Sequence, residues 1–104
     1  MNKLHKTLTQ EQWNKISKKD QILNIAAELS RASEWLKEKD FETVKDCYER
    51  AFQLVDLTLN GDKWQDRRRE LARFREVLGY LYLKNTQTPL CGFFYNWLIG
   101  FSQI

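Results

Sequence analysis

The sequence predicts an all-α protein: a small up-down bundle of three main helices followed by a short C-terminal helix. Three observations lead to this prediction. Apolar residues recur at three- and four-residue intervals, helix-capping residues separate these runs, and the 104 residues include one proline and four glycines. This length fits one domain, with a loosely attached segment at 1–17, a three-helix core at 18–84 and an uncharged aromatic tail at 85–104.

The N-terminal pattern predicts a short helical turn and then a long helix. Thr9 and Gln12 have the spacing of a capping box. Ser17 is a candidate N-cap for a helix over about 18–39, with Asp20 in the first turn, where the helix dipole favours an acid. The expected apolar face of this helix consists of Ile22, Ile25, Ala26, Leu29, Ala32, Trp35 and Leu36.

Asp40 is the next N-cap candidate and predicts a second helix over about 41–59. Because almost no residues separate the two helices, we expect them to form a tight antiparallel hairpin. The expected apolar face of the second helix consists of Phe41, Val44, Tyr48, Ala51 and Val55, broadened by Cys47, Phe52 and Leu54.

Asn60 and Gly61 predict the end of the second helix, because both residue types tolerate the left-handed conformation. Asp62, with Gln65 three residues later, predicts the start of a third helix over about 63–84. Pro89 suits the first turn of a last, short helix. The expected core stripe of the third helix consists of Trp64, Leu71, Phe74, Leu78 and Leu81.

The hairpin has a pattern of small and aromatic residues, namely Ala32, Trp35, Phe41, Val44, Tyr48 and Ala51. Over residues 22–56 it resembles a single tetratricopeptide-like helix pair, and FETVKDCYERAFQLVD resembles the second helix of that repeat. Val44, Lys39 and Asp56 depart from the usual Ala, Gly and Pro. No second copy follows at the 34-residue period of that repeat, so generic amphipathic helices are the alternative. The resemblance implies peptide or protein binding.

Charge is unevenly distributed along the chain. The net charge is +3 over residues 1–20, −3 over 21–60 and +3 over 61–104. The third helix carries a cluster of arginines that suggests phosphate contacts, although acidic residues interleaved with it favour a solvated, salt-bridged face. The candidate nucleic-acid contacts are Arg67, Arg68, Arg69, Arg73 and Arg75, together with Lys15, Lys18 and Lys19.

The tail at 85–104 has no charged side chain. Fifteen helical residues rise ~22 Å, which is short of a ~30 Å hydrocarbon core, so we expect no membrane span. Three ways of covering the tail stay open: packing as a fourth bundle element, a subunit interface or interfacial membrane binding. The candidate interface residues are Phe93, Phe94, Tyr95, Trp97, Leu98 and Phe101, with Trp13 and Trp64 as possible additions.

Nothing in the sequence predicts catalysis, a metal or another cofactor. His5 is the only histidine and lies near the N-terminus, and no Gly-rich phosphate loop occurs. Cys47 and Cys91 are not part of a zinc-binding pattern. Two unmatched thiols and the lack of a secretory signal at the start predict a cytoplasmic protein.

The sequence therefore predicts a non-catalytic helical module for protein interaction or self-association. Its expected partner is another protein or a second copy, bound through an aromatic surface. The alternative is a nucleic-acid-binding protein that uses the arginines of the third helix. Salt separates the two hypotheses, because phosphate binding weakens steeply as salt rises and apolar association does not.

Overall fold

A computed structural model describes residues 8–83, and this part of the chain is helical without β-strands. Its helices are α1 (Gln10–Asn14), α2 (Lys18–Lys37), α3 (Phe41–Asn60) and α4 (Arg68–Leu83). A single 3₁₀ turn at Gln65–Arg67 precedes α4. The predicted all-α bundle with three main helices is confirmed, whereas the predicted short C-terminal helix lies outside the described residues.

The predicted N-caps at Thr9, Ser17 and Asp40 are confirmed. The Thr9 side chain accepts from the backbone N–H of Gln12, whose own side chain accepts from the Thr9 N–H. The Ser17 hydroxyl accepts from the Asp20 N–H. The Asp40 carboxylate accepts from both the backbone N–H and the hydroxyl of Thr43. These caps satisfy donors that helices leave open at their N-termini.

Two helix ends differ from the prediction. α2 ends at Lys37, and the chain turns through Lys39, whose φ of 60° lies in the left-handed region. Gly61 was expected to be left-handed and has a φ of −81° in extended backbone instead. The tight connection after α2 requires a residue in the left-handed region. The connection after α3 is longer, and its first residue, Gly61, has extended dihedral angles.

The α2–α3 hairpin forms the main part of the core, and α4 packs against α3. The predicted faces are confirmed at most positions, since the spacing of apolar residues places them on one side of each helix. Trp35 and Phe41 are exceptions, with 41% and 43% of their surfaces exposed. The buried apolar residues of the three main helices are Ile22, Ile25, Ala26, Leu29, Ala32, Val44, Cys47, Tyr48, Ala51, Leu54, Val55, Leu71, Phe74 and Leu78.

α4 begins at Arg68, five residues later than the predicted start at Lys63. The Asp62–Gln65 pair does not cap it. Instead the chain passes through a turn and the 3₁₀ segment, where Trp64 is buried without a side-chain cap bond. Burial of the Trp64 indole thus sets the geometry of this connection. The Leu81 side chain, predicted in the core stripe, lies outside the described residues.

The N-terminal segment was expected to be loosely attached, but residues 8–17 pack closely on the bundle. Trp13 is 1% exposed, and its indole N–H donates to the Thr58 hydroxyl at 3.0 Å. The Gln10 amide donates to the Leu57 carbonyl oxygen at 2.8 Å. A buried tryptophan with a satisfied N–H is a strong apolar anchor, so α1 belongs to the folded core. Residues 1–7 lie outside the described part of the chain.

Candidate interaction surfaces

The six tail residues predicted as an interface lie outside the described residues. Phe93, Phe94, Tyr95, Trp97, Leu98 and Phe101 therefore remain candidates from the sequence alone.

Trp13 and Trp64, the expected additions to the aromatic surface, are core residues instead. They are 1% and 3% exposed. Gln21 joins them, because its amide donates to the Trp13 carbonyl oxygen and its side-chain oxygen accepts from the Trp64 indole N–H, each at 2.9 Å. This buried amide bridges two tryptophans that are 51 residues apart in the sequence. Both are thereby excluded from a surface site.

Trp35 was predicted in the core and is instead 41% exposed near the end of α2. It follows Glu28 by seven residues, about two helical turns, so the two residues share one side of the helix. Glu28 is only 3% exposed and accepts from the Arg50 guanidinium of α3 at 3.0 Å. Arg31, four residues before Trp35, forms a second ion pair with Glu28 at 3.0 Å. The exposed indole therefore stands beside a fixed, partly buried ion-pair network.

The Glu28 network also contacts Cys47. The Arg50 guanidinium lies 3.2 Å from the Cys47 sulfur and donates to it. Burial raises the pKa of the Cys47 thiol, and the nearby guanidinium only partly opposes this effect. The thiol stays protonated near neutral pH, so Cys47 is a packing residue and a poor nucleophile.

Phe41, also predicted in the core, is exposed at the first position of α3. It precedes Phe52 by eleven residues, about three turns, so both lie on the same side of α3. Phe52 on that side contacts α4, where its ring meets the Tyr82 ring edge-on at 5.5 Å between centroids. Phe41 thus belongs to the α4-facing stripe of α3 but lies beyond the described end of α4.

Sequence periodicity alone did not separate these two aromatic residues from the core. A signal was nevertheless present: Trp35 lies about 120° around α2 from Leu29, at the edge of the apolar face. Phe41 directly follows the Asp40 cap, and the first residue of a helix packs against neighbours only if another element extends that far.

The predicted arginine cluster is divided between ion pairs and exposed positions. Arg67 of the 3₁₀ turn pairs with Glu70 in the first turn of α4, and Arg75 pairs with Asp56 of α3. The hydrogen bonds that Arg75 donates to the Asp56 carboxylate raise the pKa of Arg75. Arg68 donates to the Leu59 carbonyl oxygen at the end of α3. The guanidiniums of Arg67, Arg68 and Arg75 thus have structural roles, whereas Arg69 and Arg73 are exposed.

The exposed arginines lie near a basic end of the bundle. A shallow depression at the start of α4 is lined by residues 65–70 and Ala72. Residues 8–20 and 60–73, which meet at this end, carry eight basic and five acidic side chains. Residues 31–49 at the hairpin end carry four basic and six acidic side chains. The antiparallel topology therefore converts the alternating charge of the sequence into one basic and one acidic end.

The basic end also contains acids that neutralise part of its charge. The Lys18 ammonium lies 3.9 Å from the Asp66 carboxylate and 4.9 Å from the centre of the Trp64 ring. Lys18, one of the predicted nucleic-acid contacts, therefore interacts with neighbouring residues of the protein. Lys15 and Lys19, the other predicted lysines, are exposed.

Among residues 8–83, no group of three or more histidine, cysteine or acidic side chains is placed to hold a metal ion. The described helices also include none that is both long and apolar enough to cross a membrane. His5 and Cys91 lie outside the described residues.

Comparison of the chain with known protein families, curated proteins and solved structures finds no match.

Proposed function

We propose that this protein is a non-catalytic helical interaction module that associates with a second copy or with another protein. The observation that carries the proposal is the exposed indole of Trp35, with 41% of its surface open. Tryptophan and arginine are the residue types most enriched among the energetically dominant contacts of protein interfaces. Arg31 and Trp35 place one of each on the same side of α2.

Rigidity supports this proposal. Arg31 is held by Glu28, and Glu28 is held in turn by Arg50 from the neighbouring helix. A partner that binds Trp35 therefore meets a side of α2 whose neighbouring charges are already ordered. Preorganised contact residues reduce the entropy lost on association. The proposal does not depend on the tail residues predicted from the sequence.

A second copy of the chain is the partner that is tested first. We expect sedimentation velocity of the full chain to show association that increases with protein concentration. Trp35→Gln should shift the equilibrium toward monomer, because burial of an indole supplies much of the apolar contact energy. Leu23→Gln is the matched control, since Leu23 is 37% exposed on the same helix and lies outside the Arg31–Trp35 side. Equal effects of both substitutions would contradict a specific role for Trp35.

Docking on a different protein requires another measurement. A photocrosslinking amino acid placed at position 35 should give a discrete heterologous product in cells, and the same group at position 23 should not. Arg31→Ala should weaken that product. The proposed function would be contradicted by two results together: identical crosslinked products from positions 35 and 23, and a chain that sediments as a monomer at all concentrations.

The second candidate is nucleic-acid binding at the basic end. It is supported by Arg69, which lines the depression at the start of α4, and by Arg73 one helical turn later, both of which are exposed. Anisotropy of short labelled DNA and RNA duplexes at low salt tests it. Arg69→Gln with Arg73→Gln should weaken binding and flatten its salt dependence, because each lost phosphate contact reduces counterion release. Arg75→Gln is the control, since Asp56 already engages that guanidinium. Absence of binding at low salt would rule this candidate out.

A further inference from the structure

The connection between α2 and α3 forms an acidic tip that exposes two aromatic side chains. The tip is residues 34–42, which carry four acidic and two basic side chains. Trp35 belongs to it, since the Trp35 carbonyl oxygen accepts from the Asp40 N–H at 3.1 Å. Trp35 and Phe41 are 41% and 43% exposed. The tip thus combines open aromatic surface with a net charge of −2.

The opposite end of the bundle has the complementary charge. This basic end consists of residues 8–20 and 60–73 and carries eight basic and five acidic side chains, a net charge of +3. Arg69 and Arg73 are exposed there, one turn apart on α4. α2 rises about 25 Å between the basic end and Trp35. The tip therefore cannot reach the basic end of its own molecule.

The chemistry of the tip suits a surface that presents arginines. A guanidinium stacked on an exposed indole gains cation–π attraction, and within the bundle Arg75 already lies over the Phe52 ring at 5.3 Å. Glu38 and Glu42 of the tip are exposed, and their carboxylates are suitable acceptors for guanidinium N–H groups. Contact between two tips would instead bring like charges together, which opposes association. The basic end of a second copy is therefore the surface that fits the tip.

We propose that the acidic tip of one copy binds the basic end of a second copy, with Trp35 against Arg69 and Arg73. This inference rests on the proposed self-association through Trp35 and specifies the surface that Trp35 meets. Lys37, one of the two cations of the tip, is paired with Glu34 at 3.6 Å, so the tip still presents net negative charge to its partner. Because the attraction is partly electrostatic, association weakens as salt rises.

Mixing two variants of the full chain tests this contact, because each variant retains one of the two surfaces. Trp35→Gln disrupts the tip, and Arg69→Gln with Arg73→Gln disrupts the basic end. We expect each variant, freed of nucleic acid, to sediment as a monomer at concentrations where the unmodified chain associates. Mixed in equal amounts, the two should form a one-to-one complex, since each supplies the surface that the other lacks. Lys39→Gln with Lys45→Gln is the matched control, because it removes two exposed positive charges from the hairpin end and should not weaken association.

The outcomes separate this contact from self-association in general. If Trp35→Gln abolishes association and the arginine variant does not, the contact is overturned while the proposed function stands. The same holds if both variants are monomeric and remain so after mixing. An unmodified chain that is monomeric at all concentrations would contradict both the contact and self-association.

Circular dichroism checks that each variant keeps its helix content. If the arginine variant loses helix, Arg69→Ala with Arg73→Ala replaces it, because alanine is the stronger helix former. The replacement should be monomeric alone and should form the one-to-one complex with Trp35→Gln, and failure to form that complex would overturn the contact.

Discussion

The Trp13 indole N–H donates to the Thr58 hydroxyl at 3.0 Å, and that hydroxyl donates in turn to the Leu54 carbonyl oxygen at 2.8 Å. This chain of two hydrogen bonds joins α1 to α3 inside the core, since Trp13 and Thr58 are 1% and 2% exposed. The segment at residues 8–17 thereby becomes part of the folded core.

We expect Thr58→Val to lower the free energy of unfolding by about 2 kcal/mol, because the buried indole N–H loses its acceptor. Trp13→Phe should also destabilise the protein. The double variant should lose less free energy of unfolding than the two single variants lose together, since the bonded residues are coupled. Urea unfolding followed by circular dichroism measures all three. Ser30→Ala, at an exposed position of α2, should change stability by no more than about 0.5 kcal/mol. Strict additivity would show that the hydrogen bond contributes nothing.

A second prediction concerns the Glu28 carboxylate. It is nearly buried and forms ion pairs with two arginines of unequal exposure, Arg31 and Arg50. Arg50→Met should cost about 3 kcal/mol of stability, since removing the partner of a buried charge leaves it uncompensated. Arg31→Met should cost less than about 1 kcal/mol, because the Arg31 side chain is 56% exposed.

Chemical denaturation of the two methionine variants makes this comparison, and Glu28→Met combined with Arg50→Met completes it. The combined variant should recover part of the loss seen in Arg50→Met, as the buried charge is then absent. If Arg31→Met lowers stability as much as Arg50→Met, the exposed pair stabilises Glu28 as much as the buried pair does, which would contradict this prediction.

A third prediction concerns the hairpin turn, where Lys39 has a φ of 60°. A non-glycine residue in the left-handed region is strained by roughly 1–2 kcal/mol, and glycine removes this strain while increasing the freedom of the unfolded chain. Lys39→Gly should therefore raise the free energy of unfolding by about 1 kcal/mol, whereas Lys39→Ala should leave it nearly unchanged. Glu38→Gly is the control and should destabilise the protein, because Glu38 has helical dihedral angles. Thermal unfolding distinguishes the three variants.

The same turn shows how far sequence-based reasoning reaches. The caps at Ser17 and Asp40 and the buried face around Leu29 depend on neighbouring residues, and local spacing predicts them well. The burial of Trp13 depends on Thr58, forty-five residues away, and no local pattern reveals that contact. The exposure of Phe41 at the start of α3 likewise depends on tertiary contacts that local spacing does not contain.

The candidate sites divide in the same way. The arginine-rich start of α4 is visible in the sequence. Tertiary contacts determine which guanidiniums are bonded within the protein, as with Arg75 to Asp56 and Arg68 to the end of α3. Trp35 was missed because an aromatic residue at the edge of an apolar face has the same spacing as a core residue. Only the tertiary structure shows that the Trp35 side chain remains exposed.

Tyr82 gives a prediction that depends on pH. Its hydroxyl donates to the Glu49 carboxylate, and this bond, with a contribution from burial, raises the pKa of Tyr82 to about 12. An exposed tyrosine titrates near 10, so the folded chain favours the protonated phenol. The resulting stabilisation is fully present below about pH 10 and is lost as the pH rises through about 12.

Tyr82→Phe should therefore be less stable than the unmodified chain at neutral pH, and the difference should shrink between about pH 10 and 12. Urea unfolding of both proteins at several pH values measures this difference. Glu49→Gln retains a neutral acceptor and should make the pH dependence of Tyr82 weaker. A difference between the unmodified chain and Tyr82→Phe that stays constant up to pH 12 would contradict the role assigned to this hydrogen bond.

The glycine of α4 leads to the last prediction. A methyl group added at Gly79 would lie 3.9 Å from the Phe52 ring, which is ordinary van der Waals contact. Gly79→Ala should therefore stabilise the protein by about 1 kcal/mol through helix propensity, raising the midpoint of thermal unfolding by about 4 °C. Gly61→Ala should give no such gain, because its methyl group would lie 2.9 Å from the Asn14 side-chain oxygen, which accepts from Gln10. A destabilised Gly79→Ala variant would mean that α3 and α4 pack more closely at Phe52 than this spacing allows.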